Sequence, residues 1–133
     1  MEEKLNALPM WKYSMGGFVG VIILNVAAYQ VLKLRGSAAS FALALAVGFV
    51  AIWFVKSEKR TPTPTERSRF LWQYGVATAL LFFLPLPLIL RVQPLTIWAL
   101  LIVFVHWGAY LFSAYYFMSD KYMGRQMKKL LSK

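Results

Sequence analysis

The spacing of charged residues constrains this chain more than any other feature. Lys, Arg, Asp and Glu gather in clusters, and the uncharged segments between them run over residues 13–32, 36–55, 70–90 and 92–119. A helix needs about 20 mostly apolar residues to cross the ~30 Å hydrocarbon core of a bilayer, and each segment is long enough. The pattern predicts an all-α membrane protein with four transmembrane helices in an up-down-up-down bundle, followed by a C-terminal interfacial amphipathic helix.

The predicted segments belong to one membrane domain, 1–133. The first turn is too short for anything but an antiparallel hairpin. Two prolines in three residues remove helix hydrogen bonds and predict a kink at 85–87. In chain order we expect a first transmembrane helix over 13–33, a second over 37–55, a cytoplasmic loop at 56–62, a third helix over 63–90, a fourth over 94–118, and the amphipathic tail at 119–133.

The positive charges predict the orientation of these helices. All but three of the 15 Lys and Arg residues fall in the N-terminal segment, the central loop or the tail; the exceptions are Lys33, Arg35 and Arg91. Because basic residues concentrate on the cytoplasmic side, both termini should be cytoplasmic. Four spans leave no hydrophilic body for nucleic acid despite the net charge of +10. Contacts to the phosphates of anionic inner-leaflet lipids are instead expected from Arg60, Arg67, Arg69, Arg125, Lys128 and Lys129.

Small residues in the first two helices predict close helix packing. Gly16 and Gly20 form a GxxxG pair, and Ala42 and Ala46 share one row of the second helix. Such surfaces let two helix backbones approach each other closely. The sequence leaves open whether this contact forms inside one chain or between chains.

A capping box is predicted where the third helix begins, in the cytosol before the membrane. Thr63 suits the cap position, Pro64 the first helical position, and Glu66 the third, from which it can bond back to the cap. The simplest interpretation is a stable helix start beside a solvated basic loop. The functional alternative is a lipid-phosphate or partner site at this helix N-terminus.

The tail has one apolar and one basic face. Met123, Met127, Leu130 and Leu131 predict a surface buried in lipid or against the other helices, with the basic residues opposite them. This is typical of a helix lying on anionic lipid. Partner-binding helices carry the same signature.

Polar residues are rare within the predicted spans. His106 is the one ionisable residue there, and Asn25 and Thr78 lie at similar depth. These three could form a structural polar cluster, or His106 could move protons. A single His without a second ligand-type residue makes a poor metal or haem site, so neither a metal nor a cofactor is expected. No nucleophile–base pair or phosphate loop is present, which argues against an enzyme.

The central loop resembles that of an uncharacterised family of small four-helix inner-membrane proteins of proteobacteria. The residues that carry the resemblance are Arg60-Thr61-Pro62-Thr63 and the pair Glu66-Arg67. The resemblance implies a bacterial inner-membrane protein. It implies no activity and no site residues.

Two classes of function fit the sequence. One is a non-catalytic accessory or regulatory protein, which includes an immunity-type protein, that binds a membrane partner through helix–helix contacts. The other is a small homo-oligomeric transporter or drug-tolerance factor with a polar site near Asn25 and His106. Small-residue surfaces favour the first, and a partner protein or self-association is expected in either case.

Overall fold

Helices make up the ordered structure throughout the part of the chain that is described. The computed structural model describes residues 8–30, 33, 37–92, 94 and 96–133, with side chains for all of these except 28, 29, 37–44, 82 and 89. No strand occurs among these residues. In chain order the helices are α1 (Trp11–Gln30), α2 (Ser37–Glu58), α3 (Pro64–Phe83), α4 (Leu86–Leu90), α5 (Ile97–Phe117) and α6 (Asp120–Leu131).

The four long helices pack in a closed cycle. The main contacts join α1 to α2, α2 to α5, α5 to α3, and α3 back to α1. The shared core takes most of its residues from the N-terminal and middle parts of α1 and α3 and from the middle and C-terminal parts of α2 and α5. Consecutive long helices are therefore antiparallel, as the short connections require.

Two regions of the described chain are long and apolar enough to cross a membrane. They are Pro64–Leu88, which includes α3, and Ile97–Phe117, which is α5. The all-helical class predicted from the sequence is confirmed, whereas crossing of a membrane by any of the four long helices stays a prediction.

The loop between α2 and α3 is shaped by two helix ends. Lys59 has a left-handed backbone (φ 52°) and its N–H donates to the Val55 carbonyl oxygen at 2.9 Å, which terminates α2. The Thr63 hydroxyl then accepts from the Glu66 N–H at 3.3 Å, while the Glu66 carboxylate accepts from the Thr63 N–H at 3.0 Å. The predicted capping box is confirmed.

The helical structure is interrupted between α3 and α5, and a new helix cap precedes α5. Helix α3 ends at Phe83, and the short α4 begins directly after Pro85. A fourth helix was expected to begin near Pro94. It begins instead at Ile97, because the Thr96 hydroxyl accepts a hydrogen bond from the Ala99 N–H at 3.3 Å and caps it.

Burial is concentrated at one end of the helix cycle. We call this the basic end; it contains the start of α1, the α2–α3 loop, the α5–α6 junction and α6 itself. Its fully buried side chains include Tyr13, Phe54, Phe70 and Tyr74. At the opposite end, which we call the far end, described side chains such as Ile23 (61% exposed) and Trp98 (72%) are open.

Helix α6 folds back against α2 and α5 instead of extending α5. Ser119 caps it by accepting from the Tyr122 N–H at 3.3 Å. Met123 is fully buried, and Met127 and Leu130 pack against the core. The predicted apolar face is confirmed for these three residues and lies against the other helices. Leu131, expected on the same face, is 78% exposed.

The GxxxG pair of α1 faces α2 of the same chain. A Cβ atom added at Gly16 would lie 2.8 Å from Cζ3 of Trp53, and one added at Gly20 would lie 3.5 Å from the Ala46 Cβ. The first distance leaves no room for a methyl group, while the second is ordinary van der Waals contact. The side chain of Ala42, the fourth predicted packing residue, lies outside the described part.

These distances predict opposite results for two similar substitutions. Gly16→Ala should lower the free energy of unfolding by roughly 1–2 kcal/mol, because the Trp53 ring, which packs on Tyr13 with centroids 4.8 Å apart, must move. Gly20→Ala is the matched control and should be neutral, or stabilising by up to about 1 kcal/mol through helix propensity. Thermal unfolding in detergent micelles measures both. Equal losses for the two variants would contradict the packing described here.

Candidate functional site

A buried carboxylate holds the basic end together. Glu66 is fully buried, and each of its oxygens accepts two hydrogen bonds. Oε1 accepts from the Leu8 N–H at 2.8 Å and from Arg60 Nη2 at 2.7 Å. Oε2 accepts from Arg60 Nη1 at 2.9 Å and from the Thr63 N–H at 3.0 Å. One side chain thus joins the segment before α1, the α2–α3 loop and the first turn of α3.

This arrangement fixes the charge of Glu66. Burial alone would raise the pKa of its carboxyl group, but the hydrogen bonds from Arg60, Leu8 and Thr63 outweigh burial and lower the pKa to about 2. A carboxylate with four donors around it has no free lone pair directed at a substrate. Its chemistry is therefore that of a structural tie and not of a general base.

Further polar contacts connect α1 to its neighbours at the same end. The Tyr13 hydroxyl donates to Oε1 of Glu58 at 2.6 Å, and Lys12 Nζ lies 3.4 Å from the same oxygen. On the other side of α1, the Ser14 hydroxyl lies 3.0 Å from Oε1 of Gln73 in α3. These contacts hold the start of α1 between α2 and α3.

Two of the predicted lipid-contacting cations are engaged within the chain. Arg60 pairs with Glu66, and Arg67 pairs with Asp120 at the start of α6. Arg69 is half-buried in α3. Arg125, Lys128 and Lys129 are exposed on α6. Their expected contact with lipid phosphate stays a prediction.

The predicted intramembrane polar residues do not meet. The Thr78 hydroxyl is buried and bonds to carbonyl oxygens of its own helix, at 2.8 Å from Tyr74 and 3.1 Å from Gly75. His106 is half-buried, and its Nδ1 donates to the Ile102 carbonyl oxygen of its own helix at 2.8 Å. Asn25 is exposed. Among the described residues, no hydrogen bond joins these three side chains to one another.

Some contacts had no signal in the sequence. Leu8 reaches Glu66 through its backbone, which no side-chain pattern reports. The Trp107 indole N–H donates to the Gly75 carbonyl oxygen at 3.3 Å, across from α5 to α3. Gly75 sits opposite Leu111, which would lie only 3.0 Å from an added Cβ, so a small residue at position 75 was the one available hint.

No metal site is evident within the described ranges, where no three His, Asp or Glu side chains come together in a way that could hold an ion. No protein-family model, curated protein or solved structure matches this chain. Function must therefore be argued from the geometry above.

The Glu66 tie predicts a specific acid sensitivity. Its folded pKa of about 2 lies below the ordinary value of 4.5, so its stabilisation is complete above about pH 4.5 and is lost as the pH falls towards 2. Glu66→Gln should lower the free energy of unfolding at pH 7 by up to about 3 kcal/mol, with a smaller difference from wild type at pH 3. Thermal unfolding in micelles at both pH values measures this.

Asp120→Asn is the control for that experiment. Its carboxylate is 78% exposed, so losing the pair with Arg67 should cost no more than about 1 kcal/mol. If the free energy of unfolding of wild type exceeds that of Glu66→Gln by the same amount at pH 3 and at pH 7, the assigned role of the Glu66 charge is refuted.

Proposed function

We propose that this chain is a multi-pass inner-membrane protein with its basic end in the cytoplasm. The observation in favour is the combination of apolar sequence and exposed surface. Only 11% of the most apolar window of α5 is buried, whereas the core helix of a soluble protein is mostly buried. Exposed apolar side chains also lie along the other long helices, for example Val19, Phe49 and Leu80. Lipid would cover these side chains as it would cover α5.

Aromatic side chains at the basic end support the position of the membrane surface. Three exposed rings lie near the level at which the charged residues begin: Trp11 (63% exposed), Trp72 (74%) and Tyr115 (60%). Tryptophan and tyrosine favour the boundary between headgroups and hydrocarbon. The ion pairs of Arg60 and Arg67 would then lie on the cytoplasmic side of that boundary, and the Glu66 tie would lie outside the hydrocarbon.

The packing of the long helices supports crossing by all four of them. Helix α1 has 20 residues and would span about 30 Å. It runs beside α3, and α2 runs beside α5. If α3 and α5 cross the bilayer, α1 and α2 lie alongside them at the same depth. The resemblance of the central loop to proteobacterial inner-membrane proteins agrees with this arrangement.

Within the membrane, we propose a non-catalytic accessory role through contact with a partner helix. The observation behind this proposal is Asn25. Its amide is exposed on an apolar helix and has no hydrogen-bond partner among the described residues. An amide facing hydrocarbon leaves its donors and acceptor unsatisfied, and a partner helix with a polar side chain would supply them. The nearby residues Ile22, Ile23 and Val26 give this surface its apolar part.

The orientation is tested with reporter fusions. A reporter active only in the cytoplasm should work when fused after Lys133, and a reporter active only in the periplasm should work when inserted at Lys33, because basic residues are retained inside. Activity of the periplasmic reporter after Lys133 would overturn the topology.

The partner surface is tested with a photo-crosslinking amino acid at Ile22, one turn before Asn25. Adducts with one other membrane protein should form in the wild-type background and with Asn25→Gln, which keeps an amide. They should be lost with Asn25→Leu, because the interhelical hydrogen bond is then gone. The same crosslinker at Leu88 (65% exposed) controls for random collision.

Two results would contradict the accessory role. Adducts with lipid alone would leave the exposed amide without a partner protein. Adducts with a second copy of the chain would favour self-association, as expected for the homo-oligomeric transporter with a site near Asn25 and His106.

A further inference from the structure

A cavity at the basic end lies between the end of α2 and the end of α6. Its volume is about 480 Å³, and it is lined by Ile52, Val55, Lys56, Gln126, Lys129, Leu130, Ser132 and Lys133. Ile52, Val55 and Leu130 form an apolar wall. Three lysines, a glutamine and a serine form the rest. The lining contains no carboxylate side chain.

The three lysines around this cavity lack counter-charges. Each described Asp or Glu side chain already has a cation elsewhere: Glu58 has Lys12, Glu66 has Arg60, and Asp120 has Arg67. Within the described residues, no ion pair involves Lys56, Lys129 or Lys133. Like charges gathered around one cavity repel each other, and an anion between them removes that repulsion.

Two helix ends also meet at the cavity. The C-terminal ends of α2 and α6 each carry a partial negative charge of about half an elementary charge. Three full positive charges exceed these partial charges, so the cavity stays attractive to an anion. The size is suitable for a small-molecule group, since binding pockets begin at about 300 Å³.

The apolar wall indicates the kind of anion. Ile52 and Val55 lie on α2 just before Lys56, so the apolar side of the cavity leads from the charged surface towards the proposed hydrocarbon. A phospholipid has this sequence of groups, with a phosphate at the surface and an acyl chain below it. Free phosphate would leave the cavity-facing parts of Ile52 and Leu130 in contact with water.

We propose that this cavity binds the phosphate of an anionic phospholipid, with Lys56, Lys129 and Lys133 around the phosphate and Ile52 and Leu130 along the glycerol and upper acyl chain. The site rests on the proposed membrane location, and it adds a defined lipid position to the general contact expected of a basic helix. By joining α6 to α2 through a lipid, it would make the packing of α6 depend on the composition of the inner leaflet.

The test compares two triple variants of equal charge in the full-length chain. Lys56→Gln, Lys129→Gln and Lys133→Gln remove the cavity cations. Lys59→Gln, Arg91→Gln and Lys121→Gln remove three exposed cations that do not line the cavity. Each protein, purified in a neutral detergent, is titrated with phosphatidylglycerol, with phosphatidylcholine and with inorganic phosphate. Native mass spectrometry counts bound lipid, and thermal unfolding confirms that both variants fold.

Wild type and the control triple should retain one phosphatidylglycerol in preference to phosphatidylcholine. The cavity triple should bind phosphatidylglycerol roughly 100-fold more weakly, because three basic contacts to an anionic headgroup are lost. Equal weakening in both triples would show a diffuse basic surface and overturn the site. Binding of inorganic phosphate as tight as that of lipid would overturn the lipid assignment.

These outcomes are separate from those that test the proposed function. Lipid binding in detergent does not depend on orientation or on a partner helix at Asn25. A failed lipid titration would leave the topology and crosslinking results unchanged, and a reversed topology would leave the lipid count unchanged.

Discussion

The buried carboxylate of Glu66 is the interaction on which the rest of the structure depends. It is fully buried, and burial of an unpaired charge would cost several kcal/mol. Four hydrogen bonds and the Arg60 charge offset that cost. The donors come from two segments distant in sequence, the one before α1 and the α2–α3 loop. The same side chain therefore fixes where α1 begins, how the α2–α3 loop turns and where α3 begins.

The packed core lies directly beside this tie. Tyr13, Phe54 and Phe70 are fully buried in the turns that Glu66 and Glu58 hold in place. The far end has no comparable set of polar contacts among the described residues, and many of its described apolar side chains are exposed. A chain fastened at one end in this way can keep a fixed structure at the proposed cytoplasmic surface while its far half remains available to lipid or to a partner helix.

The sequence predicted the local features well, because short-range rules control them. Thr63, Pro64 and Glu66 stand at the spacing of a capping box, and Met123 and Met127 stand at the spacing of one helix face. Both patterns depend only on neighbouring residues and on helix geometry. The sequence also predicted that Gly16 would allow a close contact, although it could not identify Trp53 as the neighbour.

Longer-range features were beyond such rules. Which side chain Arg60 would bond to depends on how the α2–α3 loop folds, so a residue expected to contact lipid phosphate pairs with Glu66 instead. Similar depth suggested that Asn25, Thr78 and His106 would meet, but depth does not fix rotation about the helix axis. The side chains of Thr78 and His106 each bond to a carbonyl oxygen of their own helix. Such an oxygen lies within reach one turn earlier.

The central claim is that α1, whose side chains are exposed at the far end, crosses the bilayer beside α3. The chain contains no cysteine, so single-cysteine spin labels at Val19, Ile23 and Val26 can be introduced without background labelling. In proteoliposomes, collisions with oxygen and with a water-soluble nickel complex measure depth at each label. We expect oxygen collisions to dominate at all three positions, as they do within hydrocarbon. Nickel collisions at these positions as frequent as at a label on exposed Ser57 would place α1 in water and contradict the four-span account.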